Sequence, residues 1–135
     1  MEKFELLPHT ADVRIRASAD TPEGLFRAAI KGMCSFILGK TPENKRDKTY
    51  EISVQSVDMT AVLIDFLAEA LYIINNDGAM ISRTEINSLT NTEIFAKLHT
   101  YECRDLEEDV KAVTWHEANI KQDNGHFVTN IILDI

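Results

Sequence analysis

Two apolar stripes at helical spacing are set into a chain whose other apolar residues alternate in twos, and few folds accommodate that mixture. Phe26, Ala29, Ile30, Met33, Phe36 and Ile37 recur on one helical face, as do Met59, Val62, Leu63, Phe66, Leu67, Ala70, Leu71 and Ile74. The first stripe follows Thr21-Pro22-Glu23, which offers a hydroxyl cap, a proline suited to the first helical position and a first-turn carboxylate. Gly39 is its stop. The second stripe begins near Asp58 and ends at Asn75-Asn76-Asp77-Gly78, a strong turn signal.

Around these helices the pattern is that of strands. Residues 3 to 18 read as strand, a turn near His9-Thr10, then strand again, with Val13, Ile15 and Ala17 on one face and Asp12, Arg14, Arg16 and Ser18 on the other. Tyr50, Ile52 and Val54 alternate after a polar loop from Gly39 to Lys48. Downstream, a weakly patterned run covers Ile81 to Ile86, a clearer one Glu93 to Tyr101, and two more Ala112 to Ile120 and His126 to Ile135. The last two meet at Gln122-Asp123-Asn124-Gly125, where Asn-Gly suits the positive φ angles of a tight hairpin. Mostly consecutive strands with two helices between them predict an α+β fold. Its sheet is mostly antiparallel, of about six or seven strands, with two amphipathic helices packed on it. Residues 1–135 suit one ordinary domain, long enough to bury a core without staples.

Composition narrows the function classes. Hydrophobic residues make up 44% and charged residues 27%, the profile of a chain that folds. The net charge of -8 opposes sequence-independent binding to a phosphate backbone, so no strong direct nucleic-acid binding is expected. A basic protein partner fits that charge better. No stretch approaches about 18 consecutive apolar residues, and the first residues carry no signal-peptide pattern, which points away from the membrane and to the cytoplasm. Cys34 and Cys103 form no CxxC pair; Cys34 sits in the first apolar stripe and reads as a small core hydrophobe. Nucleotide-binding and nucleophile-elbow motifs are absent, and histidines 9, 99, 116 and 126 are too scattered for a zinc spacing.

The candidate site lies at the two ends of the sequence. Asp12, after His9-Thr10-Ala11, opens a strand on its polar side, and Asp134 closes an apolar strand one residue before Ile135, whose own carboxylate adds an oxygen donor. Asp is depleted in strands and rarely buried unpaired. If the fold brings these groups together, either a hard divalent cation such as calcium or magnesium relieves their repulsion, or Arg14 or Arg16 neutralises Asp134 while Asp12 caps a turn. A second constellation is Lys111-Ala112-Val113-Thr114-Trp115-His116. On a strand, Lys111, Val113 and Trp115 share a face; Trp115 reads as core or a packing lid and His116 as a hydrogen-bonded structural group. The charged run from Arg104 to Asp109 reads as a solvated connection or an acidic docking loop.

Taken in order, His9-Thr10-Ala11-Asp12, the Thr-Pro-Glu helix, the stripe around Leu63 to Tyr72, Lys111 to His116 and the final Ile132-Leu133-Asp134-Ile135 resemble the archease family over the whole chain. The resemblance implies a small α+β protein that is not an enzyme. It implies a cofactor of the RtcB-type RNA ligase of tRNA splicing and RNA repair, promoting guanylylation of the ligase and multiple turnover. The family's metal site, usually described with calcium, maps by motif onto Asp12, Asp134 and the main-chain or terminal oxygen of Ile135. Its motif lysine maps onto Lys111, implying a ligase-activating surface there. The readings from other classes are a general chaperone or acidic protein-binding module, and a metal-dependent hydrolase for which no general base is identifiable.

Overall fold

A computed structural model of the chain describes residues 1–7 and 12–135; the turn expected at His9-Thr10 lies outside the described residues. The elements run β1 (Lys3–Leu7), β2 (Asp12–Ala19), α1 (Pro22–Leu38), β3 (Lys48–Gln55), α2 (Met59–Asp77), β4 (Ala79–Leu89), β5 (Glu93–Glu102), β6 (Ala112–Thr114), β7 (Lys121–Asp123) and β8 (His126–Asp134). Both helices are capped as their sequences dictate. Thr21 Oγ1 accepts from Gly24 N at 3.0 Å, and Asp58 Oδ1 from Ala61 N at 2.8 Å. Gly39 and Gly78 end the helices with φ of 81° and 63°, values that few side chains tolerate.

The strands form an α+β fold with antiparallel pairing throughout, divided between two sheets rather than gathered in one. One sheet has the order β1-β2-β8-β6 with β7 also on β8; the other is the meander β3-β5-β4. Alternation fixes which face of a strand is apolar and says nothing of its partner, so the division was not legible in the pattern. The helices pack on the inner faces of both sheets. Phe26 of α1 meets Phe66 of α2 with ring centroids 5.9 Å apart, and a single buried cluster includes residues of both helices and both sheets. A side chain at Gly32 would stand 2.9 Å from Ile15 Cγ2 and 3.1 Å from Phe4, which explains how closely α1 lies on β1 and β2. Helix α2 is long and apolar enough by composition to cross a membrane, but its stripe from Ala61 to Ile74 is buried against the core.

Two strands depart from the alternation in ways the ladders explain. In β4 the register shifts between Ile81 and Arg83 and again between Ile86 and Ser88, and each bulge resets the phase of a period-two pattern. That is why the run looked weak. The strand expected from Ala112 to Ile120 stops at Thr114. Thr114 pairs with Ile132 and Lys121 with Val128, so residues 115–120 stand opposite only residues 129–131 and must loop out of the sheet. Glu117, with φ of 61°, turns the loop, and Trp115 is carried into solvent at 55% exposure instead of becoming core or lid. The hairpin at Asn124-Gly125 forms as expected, with φ of 51° and 78°.

Candidate metal and partner-docking site

The β2–β8 ladder brings the two ends of the chain together and sets Asp12 directly opposite Asp134. Val13 and Leu133, the next pair, point the other way; Leu133 is fully buried and Val13 packs against the core. A slip of one residue would put Leu133 into water, so the core fixes the register that places the two aspartates side by side. Like charges directly opposite on one face destabilise a sheet. The pair stands at the rim where β2 opens and β8 closes, with Asp12 half-buried, Asp134 exposed and Ile135 40% exposed.

β6 joins this rim from the other side of β8. Ala112 pairs with Asp134, and Lys111 N–H donates to the Asp134 carbonyl at 2.7 Å, so the backbone of the exposed Lys111 adjoins the end of β8 that carries Asp134. The approach to Lys111 is held by α2, where Asn75 Nδ2 donates to Val110 O at 3.1 Å and Val110 is completely buried. A cavity of about 490 Å³ opens here, lined by Lys111, Asp109, Arg104 and Asn75 among others. Asp12, Asp134, Ile135 and Lys111 thus lie at the same end of the adjacent strands β2, β8 and β6, although more than a hundred residues separate Asp12 from Asp134.

The arginine alternative takes a different form. The guanidinium of Arg14 bonds Glu117 of the looped segment, reaching over Ile132, the β8 residue paired with both Arg14 and Thr114; Ile132 is only 2% exposed. Arg14 therefore spends its charge on Glu117, and that pair also ties down the loop bearing Trp115. The backbone N–H of His116 donates to Thr114 Oγ1 at 3.3 Å, while its exposed ring stands 3.8 Å from Glu117. Among the described residues, no group of three or more His, Cys, Asp and Glu side chains gathers as a metal cluster. A cation at the rim would thus draw on two carboxylates and main-chain oxygens. Hard oxygen donors of this kind suit calcium or magnesium rather than zinc.

Two further groups have local roles that spacing did not reveal. The guanidinium of Arg104 lies against Gly78, where a side-chain carbon would come within 2.7 Å of it, so a cation faces the negative end of α2, whose last turn has no basic residue. The charged run around it is anchored rather than merely solvated. Glu107 and Glu108 donate their backbone N–H groups to Ile37 O at 2.9 and 3.0 Å, satisfying a carbonyl at the end of α1. Cys34 is buried, and burial pushes its thiol up to about 12, which removes it from thiolate chemistry as its place in the apolar stripe implied.

The model of the archease protein family matches residues 4–135. The chain belongs to the archease family. Protein archease of Methanosarcina mazei is 26% identical over 142 residues, covering 99% of this chain and 97% of its own. Among solved structures, protein 1598 of Methanobacterium thermoautotrophicum aligns with a TM-score of 0.75 at 25% identity over 98% of both chains. An archease from Thermotoga maritima, described as a possible chaperone, aligns with a TM-score of 0.68 at 19% identity, covering 97% of this chain and 96% of its own, and shares the fold. Membership of the archease family agrees with the resemblance read from the motifs.

Proposed function

We propose that this chain is a protein cofactor of an RtcB-type RNA ligase, acting in the cytoplasm in tRNA splicing and RNA repair to promote guanylylation of the ligase and multiple turnover. The observation that carries this reading is the juxtaposition of Asp12, Asp134 and Lys111 on one sheet rim. Asp12, Asp134 and an oxygen of Ile135 would hold a calcium-like cation, which when bound supplies positive charge between the paired carboxylates. The protein's own contribution is rigidity: Val13, Leu133 and the β2–β8 ladder stop the carboxylates from separating to relieve their repulsion. Lys111, pinned through its backbone and free to swing its side chain, can meet a phosphate or carboxylate on the partner. Nucleotidyl transfer depends on positioning and on offsetting charge, so a docked rim can accelerate a step whose nucleophile belongs to the ligase. The net charge of -8 suits a basic docking face.

The test counts ligation turnovers by an RtcB-type ligase from the same source, with and without substoichiometric amounts of the untagged chain. A rise from single to multiple turnover, lost in Asp12→Ala, supports the proposal; no rise with an active ligase overturns it. Holdase activity on unrelated unfolded proteins would instead favour a general chaperone, as the Thermotoga protein is described, or an acidic binding module.

A further inference from the structure

The three-stranded sheet ends in β4, and among the described residues no strand pairs with the outer edge of β4. That edge faces a groove of about 650 Å³, well within the range of ligand sites, with residues 81–87 on one side, Arg27, Ile30 and Lys31 of α1 on the other, and Thr41, Pro42 and Asn44 lining it from the loop whose Lys45 O accepts from Ser82 Oγ. Between the bulges, Arg83 to Ile86 run in regular register with β5, so this stretch of backbone is straight and ready to template a further strand. A chain lying along it would alternate its side chains between the outer face, where Arg83 stands, and the α1 side, where Ile30 and Lys31 stand.

The charges select the occupant. Arg27 is engaged by Glu2 through hydrogen bonds of 3.2 and 3.0 Å, and Glu85 by His99 at 3.0 Å. Among the described residues Lys31 and Arg83 are in no ion pair, so a protein of net charge -8 presents two cations outside any ion pair on opposite walls of one groove. We infer that the free edge of β4 accepts an acidic, extended peptide segment of a protein partner as an added strand, with carboxylates toward Arg83 and Lys31 and an apolar residue toward Ile30. This surface goes beyond the ligase-activating rim, and its test involves neither ligase nor metal.

The experiment titrates the full chain with three labelled synthetic octapeptides: two repeats of Glu-Glu-Glu-Val, which put carboxylates on both faces of a strand and Val on one, the same sequence with Lys for Glu, and the acidic one with two interior prolines. Fluorescence anisotropy reads binding, and amide hydrogen exchange by NMR locates it. Saturable binding of the first peptide alone, new protection at alternate amides within residues 82–87, and weakening by added salt are expected. The Lys31→Glu/Arg83→Glu double variant should bind on the order of tenfold more weakly, with unchanged thermal unfolding. Equal binding of all three peptides, no saturable binding, or protection away from β4 overturns the inference. So does a doubled molar mass with the β4 amides already protected in the free protein, which gives the edge to a second copy. The salt and proline comparisons use the parent chain, so they decide the matter even if the double variant fails to fold.

Discussion

Asp134→Asn isolates the electrostatics of the rim, because it removes one charge opposite Asp12 while keeping side-chain shape and the β8 ladder. Directly opposed residues hold their Cβ atoms about 5 Å apart. Two unit charges at that distance repel by about 0.8 kcal/mol in water and by about 3 kcal/mol at an effective dielectric constant of 20. Asp134 is exposed and Asp12 half-buried, so the lower end applies, about 1 kcal/mol. In chelator, the variant should therefore unfold about 3–5 °C above the parent. Calcium at a hundredfold over its dissociation constant would stabilise the parent by about 2.7 kcal/mol, more than reversing that deficit, and leave the variant nearly unmoved. The order of the two melting temperatures inverts across a calcium titration followed by scanning calorimetry, with magnesium run in parallel. A variant less stable than the parent in chelator refutes the repulsion argument, and equal calcium shifts in both proteins refute the assigned donors.

Gly78→Ala forces a side chain into the left-handed region and against the Arg104 guanidinium, and should cost about 1–3 kcal/mol in urea unfolding; a neutral outcome would show that the Arg104 contact is not tight. Asp58→Ala removes the cap of α2 and should cost about 1 kcal/mol in the same assay. The Glu85 carboxyl is held below the ordinary value of 4.5, first by its hydrogen bond to His99 and then by the charges of His99, Arg83 and Lys97. Its lowered folded value means that its contribution is present above pH 4.5 and is lost as pH falls through the folded value; carboxyl NMR titration should show the depression, and His99→Gln should shrink it. Cys34 should resist a disulfide reagent at pH 8 until the protein is unfolded, and rapid modification of Cys34 in the native state would contradict its burial.

The helices were legible because their signals are local. Thr21, Pro22 and Gly39, and likewise Asp58 and Gly78, mark boundaries by chemistry acting over three or four residues, and the structure uses each of them. The hairpin at Asn124-Gly125 was legible for the same reason. Partnership between distant strands was not. Nothing within Ile81 to Ile86 announces two bulges, and Ala112 to Ile120 reads as one strand until β8 is seen to provide too few residues to pair with it. Trp115 was misplaced as a consequence: read as part of a continuous strand it shares a face with Val113, whereas on the loop it is carried into solvent.

The same distinction separates the parts of the site. Asp12 and Asp134 stood out because a carboxylate at the end of an apolar alternating run conflicts with the local pattern, and such conflicts gather where function overrides stability. What put them opposite each other was the apolar set of β2 and β8: Ile15 with Ile131 and Val13 with Leu133 admit one register, and that register makes Asp12 and Asp134 partners. Arg14 could not be assigned from spacing, because its carboxylate is on a loop that exists only through the mismatch of β6 and β7 with β8. Pairing with Glu117 holds the Arg14 guanidinium on the loop rather than on the aspartates. If that diversion matters, Glu117→Gln should release Arg14 toward the rim and weaken calcium binding measured by calorimetry without changing Asp12 or Asp134. Unaltered affinity in Glu117→Gln would show that the Arg14–Glu117 pair serves the loop alone.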